Sequence, residues 1–311
     1  MLGYLLVVLL QLNDIDHNFD AMNLDPAVQQ AIIKNLESSD YQTPYQINHY
    51  LPPLKNSDLL QTKRVISASS YMVIDSMSGS VLKQSSSTDK MPIASLTKLM
   101  TAIIFLEAGI DFSNEITIEA SDNSNISGSH QYIQAGETMT VGDLFYTSLV
   151  GSSNNATKAL ARSTGLDESD FVARMNKKAT DLGLLDTSFE EVTGLSPNNT
   201  STVSDYAKIA GHAFKNLTIA EALNRSEYTF KTTTNRYHRI SNTNKLLSDN
   251  DLQFVGAKTG YIDEAGYTFV CQAIEDGNKI MVVLFNSDSS QSRFDEVKTL
   301  INWAFDNYRW L

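Results

Sequence analysis

A serine hydroxyl becomes a nucleophile only when a base lies within hydrogen-bond reach of it. The five histidines, His17, His49, His130, His212 and His238, are scattered, and no Gly-x-Ser-x-Gly occurs, so a Ser-His-Asp arrangement has no support. Their spacing gives no metal signature either, and no metal is expected. Lysine is the other candidate base. Ser-x-x-Lys occurs three times, at Ser80–Lys83, Ser87–Lys90 and Ser95–Lys98. Residues three apart share a face on a helix but point to opposite faces of a strand. Ser80 precedes a strand-like pair and Ser87 lies in a polar stretch. Ser95 opens an apolar helical run behind Pro92. There its hydroxyl would lie near free backbone N–H groups and the positive end of a helix dipole. Taken alone, Ser95 reads equally well as an ordinary N-cap.

A second group is Lys258-Thr259-Gly260, the one Lys-Thr-Gly of the chain. It follows Phe254-Val255-Gly256 and precedes a hairpin pattern, which suggests an edge strand. Gly260 would let a substrate backbone approach closely, with Lys258 and Thr259 free to bind a carboxylate. By itself the tripeptide is more simply a basic turn before a strand.

The elements that must position these groups are legible from Ser69 onward. Tyr71-Met72-Val73-Ile74 is a strand candidate, and Val81-Leu82 begins its return after a glycine turn. Leu96, Leu99, Met100, Ile103, Ile104 and Leu106 have helical spacing. Val141 to Ala161 holds two apolar helical stretches broken around Gly151-Ser152-Ser153-Asn154. Phe171 to Leu182 is amphipathic, and Ser204 to Phe214 is a further helix with Ser204-Asp205 suited to its N-cap. Tyr267–Ile274 and Ile280–Phe285 flank the turn Glu275-Asp276-Gly277-Asn278, and Arg293 to Tyr308 closes as a helix. Strands, then helices, then strands and a helix imply an α+β fold: an antiparallel β-sheet built from both ends of the chain, flanked by helices, with an all-helical insertion subdomain.

The 311 residues carry a net charge of −12, which argues against nucleic-acid binding, where clustered Lys and Arg meet phosphates. One cysteine, Cys271, in an apolar strand-like run, can form neither an internal disulfide nor a thiolate zinc site. Leu2 to Leu12 is apolar but for Gln11, too short for a bilayer span, which needs about 20 residues, and suited to a secretory signal or an uncleaved anchor. Residues 1–12 are thus expected to be a signal or anchor, with possible membrane attachment. Residues 13–68 are expected to be a polar spacer, with one amphipathic stretch at Ala27–Leu36. Residues 69–311 are expected to be the catalytic domain, facing the outside of the cell.

Together the two motifs match, in order, those of the penicillin-binding proteins and serine β-lactamases. The middle motif of that superfamily is Ser-x-Asn. Ser121-Asp122-Asn123, Ser196-Pro197-Asn198 and Ser248-Asp249-Asn250 compete for it. Ser152-Ser153-Asn154 is preferred, because it lies 57 residues after Ser95 at a break between helices, whereas Ser121 lies only 26 after it in a Ser/Asn-rich loop. Pro92-Ile93-Ala94-Ser95-Leu96-Thr97-Lys98-Leu99-Met100-Thr101-Ala102 resembles the nucleophile region of the D-alanyl-D-alanine carboxypeptidases, the low-molecular-mass penicillin-binding proteins. Ser152-Ser153-Asn154-Asn155-Ala156, Asn242-Thr243-Asn244-Lys245-Leu246-Leu247 and Gly256-Ala257-Lys258-Thr259-Gly260-Tyr261 resemble it too. The similarity runs from about Ser69 to the C-terminus. Two departures stand out. Asn198 to Thr202 replaces a His-containing stretch, a change expected to affect a loop and not the chemistry. The chain ends at Leu311, so the C-terminal β-rich domain of many relatives is expected to be absent.

The resemblance implies a hydrolase acting on peptidoglycan stem peptides ending in D-Ala-D-Ala, acylated also by β-lactam antibiotics, with no cofactor. It implies Ser95 as nucleophile and Lys98 as base, made neutral by burial and by the charge of Lys258. Ser152 would relay a proton to the leaving amine, and Asn154 would hold the substrate peptide. The backbone N–H groups of Ser95 and Tyr261 would form an oxyanion hole, with Lys258, Thr259, Gly260 and Arg293 at the substrate carboxylate. Three rivals remain: an endopeptidase cutting D-Ala cross-links; a class A-like β-lactamase, for which Glu190 and Glu191 lie in about the right region but Val192-Thr193-Gly194-Leu195 does not supply the Glu-x-x-Leu-Asn pattern; and a non-catalytic penicillin-sensing, wall-binding domain, whose sign would be loss of a catalytic residue.

Overall fold

In the computed structural model, residues 51–56, 65–124 and 133–310 are described. The apolar N-terminal segment, the Ala27–Leu36 stretch and His17, His49 and His130 lie outside them. Five strands form one antiparallel sheet: β1 (Ser70–Asp75), β2 (Val81–Ser85), and, after a long insertion that includes the hairpin β3 (Glu227–Lys231) and β4 (Tyr237–Ser241), β5 (Gln253–Ile262), β6 (Gly266–Glu275) and β7 (Asn278–Ser287). The spatial order is β5-β6-β7-β1-β2, so both ends of the described domain feed one sheet. Asp276 and Gly277 both have positive φ, 49° and 82°, the geometry of a type I′ hairpin turn, and they join β6 to β7.

The sheet is buried on both faces, which explains why β7 reads as an unbroken apolar run rather than an alternating one. Ile280, Val282 and Leu284 point into a core shared with the C-terminal helix α7 (Ser290–Asn307). Met281, Val283 and Phe285 point into the other core, under the insertion. That insertion holds α1 (Thr97–Glu107), α2 (Val141–Val150), α3 (Asn154–Arg162), α4 (Glu168–Asp181), α5 (Val203–Phe214) and α6 (Leu217–Asn224). Nine of the eleven residues of α1 are buried. It is the central post on which the other helices lean, apolar almost all round as a buried helix must be.

The architecture is the expected α+β arrangement, with differences of detail. The insertion is mainly helical but also carries the β3–β4 hairpin and a ribbon pairing Glu115–Thr117 with Thr138–Thr140; these strands are too short for periodicity to reveal. Helix α5 is capped by Thr202, whose Oγ1 accepts from Asp205 N–H at 3.0 Å, and not by Ser204. Helix α7 starts at Ser290, earlier than the apolar pattern suggests, capped by Ser289. Contacts with the domain also begin before Ser69. Leu54 and Lys55 pair with Arg309 and Tyr308, Ser67 N–H donates to Glu296 Oε1 at 2.6 Å, and Ala68 is buried in the α7 core.

Candidate active site

Ser95 lies in a single 3-10 turn, Ala94–Leu96, leading directly into α1, and no side-chain cap bond is made there. Ala94 has φ +50°, a conformation that costs a non-glycine residue energy. The turn is held on three sides. Tyr206 of α5, fully buried, donates its hydroxyl to Leu96 O at 2.7 Å. Gly194 packs so tightly that a Cβ there would lie 1.9 Å from Ala94 O, and a Cβ on Gly260 would lie 3.0 Å from Ser95 N. Glycine at 194 and 260 is therefore required by close backbone approach, and β5 runs alongside the Ser95 backbone.

One turn along the chain, Lys98 is wholly buried. Its Nζ is 3.0 Å from Ser95 Oγ, and it donates to Asn154 Oδ1 and to Thr193 O, both at 2.6 Å. Burial lowers the Lys98 ammonium to about 7, against the opposing pull of the Glu191 carboxylate. Lys258 is likewise held well below the ordinary lysine range, by burial first, then by Lys98 and Arg293; the repulsion between the two lysines is mutual and disfavours a second proton on the pair.

The middle group comes from the break between α2 and α3. Ser152 has φ +56° and is partly exposed, whereas Asn154, the first residue of α3, is buried with its carbonyl on Lys98. Ser152 Oγ accepts from Lys258 Nζ at 2.8 Å, so two motifs 106 residues apart meet directly. Of the competing motifs, Ser121 is exposed and bonds Glu119. Asn123 accepts from Asn155 Nδ2 at 2.8 Å, and so braces the helix that carries Asn154 without entering the cluster.

Lys258-Thr259-Gly260 lies on β5, the edge strand of the sheet, opposite Val270, Phe269 and Thr268. Thr259 Oγ1 lies 2.7 Å from Thr243 Oγ1. Tyr261 is 48% exposed, stacks on Tyr267 with centroids 4.4 Å apart, and donates its hydroxyl to Asp263 at 2.6 Å. Arg293 is buried in the first turn of α7, not on the surface. Its Nη1 donates to Gly260 O at 3.0 Å and Thr268 O at 3.4 Å, and burial lowers its guanidinium to about 10. Its positive charge stands behind the Lys-Thr-Gly strand.

The folded chain thus brings together a hydroxyl, a buried amine with depressed proton affinity, a second hydroxyl and a second amine, beside the open edge of a sheet. A family model described as D-alanyl-D-alanine carboxypeptidase matches residues 58–289. The chain belongs to that family. The D-alanyl-D-alanine endopeptidase of Haemophilus influenzae is 36% identical over 203 residues, 65% of this chain and 69% of that protein. The D-alanyl-D-alanine carboxypeptidase DacF of Bacillus subtilis is 30% identical over 250 residues, 78% of this chain but 63% of that protein, so the chain spans just under two thirds of the Bacillus enzyme. The Streptomyces K15 DD-transpeptidase superposes with a TM-score of 0.74 at 29% identity, covering 79% of this chain and all of that one.

Beyond the family's motif residues, three neighbours of the site escape a motif-based reading: Thr193, whose carbonyl binds Lys98; Tyr206; and Asn199; a fourth, Glu191, entered only with the β-lactamase rival. Asn199 falls within the stretch expected to lie outside the chemistry. It is fully buried, and its Nδ2 donates to Thr97 Oγ1 at 3.0 Å, next to Lys98.

Proposed function

We propose that this chain is a serine-type D-Ala-D-Ala carboxypeptidase that acts outside the cytoplasm, removes the terminal D-Ala of peptidoglycan stem peptides and is acylated by penicillin. The observation that carries the residue roles is the hydrogen-bond set of Lys98. A neutral amine has two hydrogens and one lone pair. Asn154 Oδ1 and Thr193 O, both acceptors at 2.6 Å, take the two hydrogens and leave the lone pair for the Ser95 hydroxyl at 3.0 Å. Lys98 then serves as general base while Ser95 Oγ attacks the carbonyl of the penultimate D-Ala. The backbone N–H groups of Ser95 and Tyr261 would receive the oxyanion; one such donor contributes roughly 3 kcal/mol.

The substrate carboxylate would sit on Thr259 and Lys258, backed by Arg293. Its negative charge favours the protonated form of Lys258. The charged Lys258 in turn disfavours a proton on Lys98, so binding readies the base. Ser152, already bonded to Lys258, passes a proton to the departing D-Ala amine, and water hydrolyses the acyl-enzyme. The β-lactamase reading lacks support from the two glutamates: Glu190 accepts from Ser196 Oγ and Asn198 Nδ2, and Glu191 accepts from the loop around Thr193.

The endopeptidase reading is favoured by the 36% identity to one endopeptidase, with weaker matches to two others at 28% and 26%. Digestion of purified muropeptides followed by mass spectrometry decides between them. Loss of a single D-Ala from pentapeptide stems is expected, with cross-linked dimers left whole; cleavage of dimers with pentapeptides untouched would overturn the carboxypeptidase assignment. Residues 1–12 are read as the export signal or anchor, and the spacer expected over 13–68 is read as shorter, because Leu54 and Lys55 pair with Arg309 and Tyr308 and Ala68 is buried against α7.

A further inference from the structure

Glu191 has no part in the scheme above, yet it is the carboxylate whose charge acts on Lys98. Its side chain is turned into its own loop. Oε2 accepts from Thr193 N–H and Thr193 Oγ1, both at 2.6 Å. Oε1 accepts from Gly194 N–H, from Asn199 Nδ2 at 2.9 Å and, at 3.5 Å, from Ser196 N–H. One carboxylate thus gathers three backbone N–H groups of a short segment. Asn199 binds it back from the far end: its Oδ1 accepts from Glu190 N–H at 2.7 Å and Glu191 N–H at 3.2 Å, and its carbonyl takes Ile93 N–H at 3.0 Å.

This folded loop does two things for the nucleophile. It presents the Thr193 carbonyl to Lys98 Nζ, and it presses Gly194 against the Ala94 carbonyl beside Ser95. The charged groups around Lys98 are Glu191 from this loop and Lys258 from β5, with Arg293 of α7 behind Lys258. Glu191 is the negative member of a set otherwise positive.

We propose that Glu191 is a positioning residue for acylation. Its carboxylate, locked by Asn199, shapes the loop whose Thr193 carbonyl aims the Lys98 amine at Ser95, and it balances the positive charge facing that amine. The proposal rests on Lys98 being the base. It differs from a role as deacylating base, because both Glu191 oxygens are engaged by loop donors.

The test is the second-order rate of acylation by labelled penicillin, measured from about pH 5 to pH 9, for wild type, Glu191→Gln and Glu191→Asp. Removing the negative charge favours neutral Lys98, so the acid limb of the Glu191→Gln profile is expected about one pH unit below that of wild type. Its plateau is expected at least tenfold lower, because the loop loses acceptors and the amine its aim. A purely structural role would lower the rate at every pH and leave the limb in place, and that result overturns the proposal. So does a normal acylation profile with slowed hydrolysis of the acyl-enzyme, which would make Glu191 a deacylation residue. If the glutamine variant does not fold, Glu191→Asp decides: its charge is withdrawn from Lys98 along with the acceptor, so a lower plateau with a limb shifted in the same direction but by less is expected, and an unmoved limb or wild-type acylation overturns the proposal. Absence of any label on Ser95 in the wild type would instead refute the site assignment itself.

Discussion

In the proposed scheme Ser95 is activated only if Lys98 can lose its proton. Burial brings its ammonium to about 7, so the neutral base predominates above that pH. Penicillin acylation is therefore expected to rise with pH through about 7, and a rate independent of pH between about 5 and 9 would contradict the base role. Substitution gives a sharper test. Arginine keeps the positive charge but does not deprotonate at any working pH. Lys98→Arg is accordingly expected to acylate almost as slowly as Lys98→Ala, within the 10²- to 10⁴-fold deficit typical of a lost general base. Acylation by the arginine variant within about tenfold of wild type, in protein shown to be folded by circular dichroism, would mean that another group activates the serine.

The elements matter through the strained or crowded turns that join them. Ser152 reaches Lys258 because the α2–α3 link places it at positive φ; Ser121 lies in another turn, on the surface. Ser152→Ala should therefore lower acylation strongly while Ser121→Ala stays near wild type. An inactive Ser121→Ala enzyme would move the middle motif. Gly194 is the clearest example of an element defined by what it lacks. With φ +90° and an added Cβ at 1.9 Å from Ala94 O, Gly194→Ala must displace the turn that carries Ser95. A displacement of about 1 Å at reacting atoms can cost on the order of 10²-fold in rate. Loss of that order is expected in the same acylation assay, and a fully active Gly194→Ala would show that the turn tolerates movement.

On the scale of the whole molecule, contacts with the domain begin before the change in sequence texture at Ser69. Before it, Leu54 and Lys55 pair with Arg309 and Tyr308, just past α7, and Ser67 N–H donates to Oε1 of the buried Glu296 carboxylate, whose Oε2 has no partner among the described residues. Removing residues 1–50 should leave a folded, penicillin-reactive domain. Removing residues 1–68 strips the partner from Glu296 and the Ala68 side chain from the core, a cost of roughly 1–3 kcal/mol for the orphaned acceptor alone. Thermal unfolding should then show the longer truncation melting several degrees lower, since about 1 kcal/mol shifts Tm by a few degrees in a domain of this size. Equal melting temperatures for the two truncations would return the boundary to Ser69.

Much of this was legible in the amino-acid sequence because it depends on local pattern. The helical spacing after Leu96 set Ser95 and Lys98 on neighbouring turns, the apolar runs around Asp276-Gly277 marked the β6–β7 hairpin, and the family motifs singled out Ser152, Asn154 and Lys258. Tertiary structure decided what local pattern does not encode. The 2.8 Å contact between Ser152 and Lys258 spans 106 residues. The proton affinity of Lys98 comes from burial by residues far along the chain. The place of Arg293 behind the Lys-Thr-Gly strand is fixed only when α7 packs on the sheet and sets its guanidinium against Gly260 O. Glu191 and Asn199 sit in a loop without periodicity, and their part emerges only once that loop folds against α1, because a carboxylate's role is set by which donors surround it.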